Sequence, residues 1–145
     1  MQFFATHLLL AIASLISTTL CAPSAPLQKR TNDCGSSSVN RGFVDWAPGA
    51  DCRQIFNNIV GTGSWTINPN SERQLVSYGH CAFTVTNDNQ SDYVYVGNDD
   101  IRDLINDSIA KYADGDGAVS AWGNMDCDSS LVNTMRHVKW KLHRI

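Results

Sequence analysis

Four cysteines constrain this chain more than any other feature. Cys34, Cys52, Cys81 and Cys127 follow an uncharged apolar leader, so they meet an oxidising compartment before they fold. The leader "FFATHLLLAIASLISTTLCA" holds no Lys, Arg, Asp or Glu, and its apolar centre runs from Leu8 to Leu20. A spanning helix needs about 20 apolar residues, and this centre is shorter. Small and polar residues then prepare a signal-peptidase site (Ser17, Thr18, Thr19, Cys21, Ala22). Residues 1–22 read as a signal peptide. "APSAPLQKR" follows, with two prolines and no apolar periodicity, and it ends in Lys29-Arg30. Furin- and kexin-type proteases cut after such a pair in an exposed linker. Residues 23–30 therefore read as a pro-segment, and Thr31 as the mature start. Cys21 leaves with the leader, and the remaining four cysteines allow three pairings.

The mature chain, residues 31–145, has the length of one domain. Without Lys29 and Arg30, nine basic residues stand against fourteen acidic ones, a net charge of −5 with histidines neutral. Nucleic-acid binding rests on cations that neutralise phosphates, so nucleic acid is not expected as a partner. No C-x-x-C or C-x-x-H spacing occurs, so the cysteines read as structural disulfides, and neither metal nor cofactor is expected.

Two amphipathic helices follow from period. Cys52, Ile55, Phe56 and Ile59 fall on one face, with Asp51 as N-cap and Gly61 as stop. Ile101, Leu104, Ile105, Ser108, Ile109 and Tyr112 make a second face, capped by Asp99 or Asp100 and ended at Gly115. Strands alternate in "CAFTVT" and "DYVYVG", joined by "NDNQS" as a hairpin turn, and again in "HVKWKLHRI". "GAVSAWGNM", "SWTIN" and "GFVDW" are further strand candidates. The expected fold class is α+β: an antiparallel sheet, polar on one side, with both helices on the other and two disulfides. Cys52 lies on the buried face of the first helix and Cys81 on the inward face of the next strong strand. The layout pairs Cys52 with Cys81 and leaves Cys34 for Cys127.

No catalytic constellation stands out. "GTGSW" and "GSSSV" both fail G-x-S-x-G. "DGDG" (Asp114 to Gly117) lacks the acidic first and twelfth positions of a calcium loop and reads as a helix-terminating turn. Glu72, Arg73, His80 and His137 are the residue types of a small secreted ribonuclease, but Glu72 and Arg73 sit in "NPNSERQ", read as a loop. Asn89-Gln-Ser91 and Asn106-Asp-Ser108 are glycosylation sequons. Trp46, Trp65, Trp122 and Trp140 could stack on sugars, with core packing as the default. On the last strand His137, Lys139, Lys141 and His143 share a face, a cationic stripe for an anionic partner or else a lysine-protected edge.

The segments "DC" before the first helix, Trp65, "CAF", "VGNDDIRDLI", "GAVSAWGNMDC" and "VKW" together resemble the fungal secreted effectors typified by extracellular protein two, the necrosis-inducing-factor family. The resemblance implies a killer-toxin-like fold of two helices on an antiparallel sheet. It also implies action against a host plant or a competing microbe, outside the cell. It brings no catalytic residues. Cys34, Cys52, Cys81, Cys127, Trp65, Gly97, Met125 and Trp140 read as scaffold. The expected function is a secreted, non-enzymatic effector that binds its target. A small hydrolase of the ribonuclease class and a cell-wall polysaccharide binder are the alternatives.

Overall fold

A computed structural model of the protein describes residues 31–145. The expected signal peptide, pro-segment and dibasic cleavage site at Lys29-Arg30 lie outside the described residues.

Ten strands and two helices follow one another as β1 (Cys34–Ser37), β2 (Asn40–Arg41), β3 (Ala47–Pro48), α1 (Gly49–Asn58), β4 (Ser64–Ile67), β5 (Ser71–Tyr78), β6 (Cys81–Asn87), β7 (Val94–Gly97), α2 (Asn98–Tyr112), β8 (Ala118–Val119), β9 (Ala121–Asp128) and β10 (Met135–Arg144). A six-stranded antiparallel sheet runs β1-β9-β10-β6-β5, and β2 also pairs with β9. Two ribbons, β3-β8 and β4-β7, complete the strand pairing of the described residues. The fold is α+β with two helices and two disulfides, Cys52–Cys81 and Cys34–Cys127, as expected.

Strand period decides which way the large sheet faces. Phe83, Val85, Met125, Val138, Trp140 and Leu142 alternate onto its inner side and are buried. The rings of Phe83 and Trp140 stack there, 5.6 Å apart. Ile55 of α1 and Ile101, Leu104 and Ile105 of α2 close over this core, with Ile67, Val94 and Val96 of the β4-β7 ribbon. Gly123 of β9 can hold no Cβ, because one would overlap the Ser38 carbonyl and crowd the Trp140 indole nitrogen.

Several local expectations give way. β6 does not form a hairpin with β7, since the two lie in different sheets. Asn87, fully buried at the end of β6, donates its amide to the carbonyls of Ile67, Asn68 and Asp92. That anchor carries the chain out of the large sheet. β6 turns back on β5 instead, through Gly79-His80 with Gly79 at φ 54°. Glu72 and Arg73 are thus strand residues, not loop residues. β5 is an edge strand with few buried side chains, so it shows little alternation. "GFVDW" is not a strand. Pairing ends at Arg41, and Phe43 and Val44 are exposed. β10 is central, flanked by β9 and β6, so the reading of it as an edge fails.

The caps differ too. Pro48 precedes α1, and the Asp51 carboxylate instead accepts the His80 backbone N–H at 2.8 Å. A Cβ at Gly79 would strike that carboxylate. α1 stops at Asn58, before Gly61, and α2 stops at Tyr112, before Gly115. The Asp114 carboxylate accepts the N–H groups of Asp116 and Ala118, the turn expected for "DGDG".

Gly97 precedes α2, and Asp100 reaches back to its N–H at 2.9 Å. The same oxygen accepts the N–H groups of Asp33 and Cys34 at 2.8 and 3.1 Å. Burial pushes the Asp100 carboxyl up to about 6, against the pull of these three donors. The folded state then holds this proton more tightly than the unfolded chain, whose ordinary value is 3.8. The contribution is therefore most favourable below 3.8 and is lost as pH rises through about 6. Denaturant melts across this window should show that slope in the wild type, and Asp100→Asn should remove it.

Candidate binding face

Among the described residues, the outer side of the large sheet carries no helix. Its residues come from β10 and from the strands paired with it. Lys141 stands between Trp122 of β9 and Thr84 of β6, Lys139 between Asn124 and Thr86, and His137 opposite Asp126. Period two therefore brings His137, Lys139, Lys141 and His143 to one face, as expected, in the middle of a sheet.

What surrounds them changes their chemistry. Lys141 Nζ donates to Glu72 Oε1 at 3.0 Å, and Lys139 Nζ lies 2.6 Å from Asp88 Oδ2. His137 Nδ1 is 2.9 Å from Asp126 Oδ1, and His143 Nε2 is 2.9 Å from the Thr84 hydroxyl. The Lys141 hydrogen bond, helped by Thr86, holds the Glu72 carboxyl below the usual carboxylate range. Both lysines and His137 are matched by carboxylates from β5, β9 and the segment after β6, so the stripe is locally neutralised.

An aromatic ring occupies the centre of this mosaic. Trp122 is 48 % exposed. The other three indoles are engaged. Arg41 lies over Trp46, Arg73 over Trp65, and Trp140 is buried on Phe83. Trp65 also donates to Asn98 at 2.9 Å. Trp122 separates two shallow hollows. One, about 400 Å³, is lined by Thr86, Gly123, Asn124, Lys139 and Lys141. The other, about 290 Å³, lies towards Phe43, Val44, Ser120 and His143. The arrangement offers an open apolar plate, hydrogen-bonding side chains around it and little net charge.

The ribonuclease residue types do not converge. Glu72 faces outward to Lys141, whereas the next residue, Arg73, turns to the Thr66 carbonyl of β4. His80 sits in the β5-β6 turn beside Asp51. Among the described residues no group of acidic, His or Cys side chains is placed to hold a metal ion, and no helix is long and apolar enough to cross a membrane. Asn106 is exposed on α2, while the Asn89 side chain donates to Asn87 and approaches the His137 carbonyl at the lip of the face.

Residues 33–127 match the family model described as "pathogen effector; putative necrosis-inducing factor". The chain belongs to this effector family. The match spans β1 to β9 and takes in all four disulfide cysteines of the effector. A Penicillium expansum protein named "Probable chitinase LysM18" is 32 % identical to the effector over 125 residues, 83 % of this chain. The effector spans only 8 % of that relative's length.

Proposed function

We propose that the chain is a secreted effector that acts by binding, not catalysis, and that its ligand is a neutral cell-wall polysaccharide held on the helix-free face. The exposed Trp122 indole among ion-paired side chains carries this reading. A pyranose ring presents an apolar face edged by hydroxyls, which suits an aromatic plate bordered by lysine, asparagine and threonine. Lys139 and Lys141 already have carboxylate partners, so an anionic ligand would meet negative charge beside both lysines. The relative named as a chitinase supports a carbohydrate connection. Two disulfides and the effector family support an extracellular place of action.

The test is retention of the purified chain, residues 31–145, on insoluble chitin, β-glucan and cellulose. Binding to at least one should survive high salt, since screening acts on charges and not on stacking. Trp122→Ala should weaken that binding about tenfold or more, the loss of roughly 1.5–3 kcal/mol of aromatic burial, with the melting temperature nearly unchanged. Binding that instead disappears with salt and with Lys139→Glu/Lys141→Glu would return the face to an anionic partner. Retention of RNA-cleaving activity that Glu72→Gln destroys would overturn the non-enzymatic reading. Infiltration of the same chain into leaves beside Trp122→Ala links the face to cell death.

A further inference from the structure

Thr31, the residue that follows Lys29-Arg30, is held by α2 through both its nitrogen and its carbonyl. Its nitrogen lies 2.7 Å from Asp99 Oδ2, and its carbonyl accepts the Asp99 N–H at 3.3 Å. A Cβ at Gly97 would collide with that carbonyl, so the glycine is what lets the arm lie this close. Further along the arm, Asp33 and Cys34 donate to Asp100, the Asp33 carbonyl accepts from Asp128, and Cys34 is bonded to Cys127. The charges around this point are mostly negative. Asp33, Asp99 and Asp100 converge here, and Asp103 lines the adjoining hollow. Arg102 is 3.6 Å from the other Asp99 oxygen and has its guanidinium over Phe56 of α1.

We propose that cleavage after Arg30 makes the ligand for this acidic site: the new α-ammonium group of Thr31, ion-paired with Asp99 at the start of α2. The step is a hydrolysis by an endoprotease of the dibasic-cleaving class. Water adds across the Arg30–Thr31 C–N bond, its hydroxyl going to the Arg30 carbonyl carbon and its hydrogen to the Thr31 nitrogen. The new carboxyl gives up its proton and the amine takes one, because α-amino groups titrate at about 7.7–8.0. A neutral amide donor becomes a full positive charge at the same position. Charge-assisted hydrogen bonds are roughly twice as strong as neutral ones, and an anion–cation pair at a helix N-terminus leaves the carboxylate where the dipole favours it. Processing thus locks the arm onto α2, and the mature domain is more stable than its precursor. This stands apart from the polysaccharide reading and survives its failure.

Three forms test it: the processed chain beginning at Thr31, the same chain N-acetylated at Thr31, and a Lys29→Ala/Arg30→Ala chain that keeps residues 23–30. The ion pair raises the ammonium pKa in the folded state, so its contribution is complete below the unfolded value of about 7.7–8.0 and fades as pH rises through the folded one. Near pH 6.5 the processed form should melt about 3–5 °C above both others. The gap should close above about pH 9, and Asp99→Asn should bring the processed form down to the acetylated one. Should the acetylated and free-amine chains melt together near pH 6.5, or keep their gap at pH 10, the ammonium has no such role. A secreted chain starting anywhere other than Thr31 overturns the proposal as well.

Discussion

Replacing Cys34 and Cys127 by serine should cost the domain about 4.5 kcal/mol, the chain-entropy value for a loop of this length. The two residues are 93 apart in sequence and stand directly opposite each other in the β1-β9 pairing. Opening Cys52–Cys81, 29 residues apart, should cost nearer 3.5 kcal/mol on the same basis. A small domain has only about 5–15 kcal/mol in all, so either loss takes a large share and full reduction should leave the chain mostly unfolded at 37 °C. Urea melts of the two serine pairs, with equal m-values, would check this. The Cys34–Cys127 variant should have the lower midpoint. The reverse order would mean that the helix-to-sheet link carries more strain relief or denatured-state effect than loop length allows.

Trp140→Ala should be comparably damaging, at about 3–5 kcal/mol for a buried aromatic. The indole is 2 % exposed, stacks on Phe83 and fills the space that Gly123 leaves open. Its Nε1 has no hydrogen-bond partner among the described residues, so part of the loss is returned when that donor goes. Trp122 immediately precedes the glycine that pairs with Trp140, so it lies on the other side of the sheet. Thermal melts of Trp140→Ala and Trp122→Ala should therefore separate sharply, with a large drop for the first and almost none for the second. Equal drops would mean that Trp122 is a structural residue, and the binding face would lose its centre.

The two helices and the alternation of β6 and β10 could be read from the sequence because each is a periodic property of one segment, and the disulfide pairing followed from the faces those periods gave Cys52 and Cys81. β5 could not, because an edge strand with a half-solvated inner side shows no alternation. The β6-β7 hairpin misled for a related reason. The polar run after Asn87 looks like a turn, and only the burial of Asn87 reveals that it leads to another layer. On the candidate face, the shared side of His137, Lys139, Lys141 and His143 was legible from period two. Their neutralisation was not, since Glu72, Asp88 and Asp126 come from segments whose register is a tertiary fact. Trp122 could have been singled out by the same alternation, for it stands out of phase with Ala121, Gly123 and Met125.

Because β10 sits between β9 and β6, the strand that closes the large sheet follows every other element in chain order. Until it has been synthesised, β9 and β6 have no partner between them, and their inner faces have no Trp140 or Leu142 to pack on. Folding must wait for the whole domain, and its decisive contacts join residues far apart in sequence, which makes the search slow. Its four cysteines can therefore find partners by oxidation before the complete sheet is there to guide them. The order of events, oxidation and then closure or the reverse, becomes a matter of relative rates, and a truncation anywhere before β10 should yield no folded fragment at all.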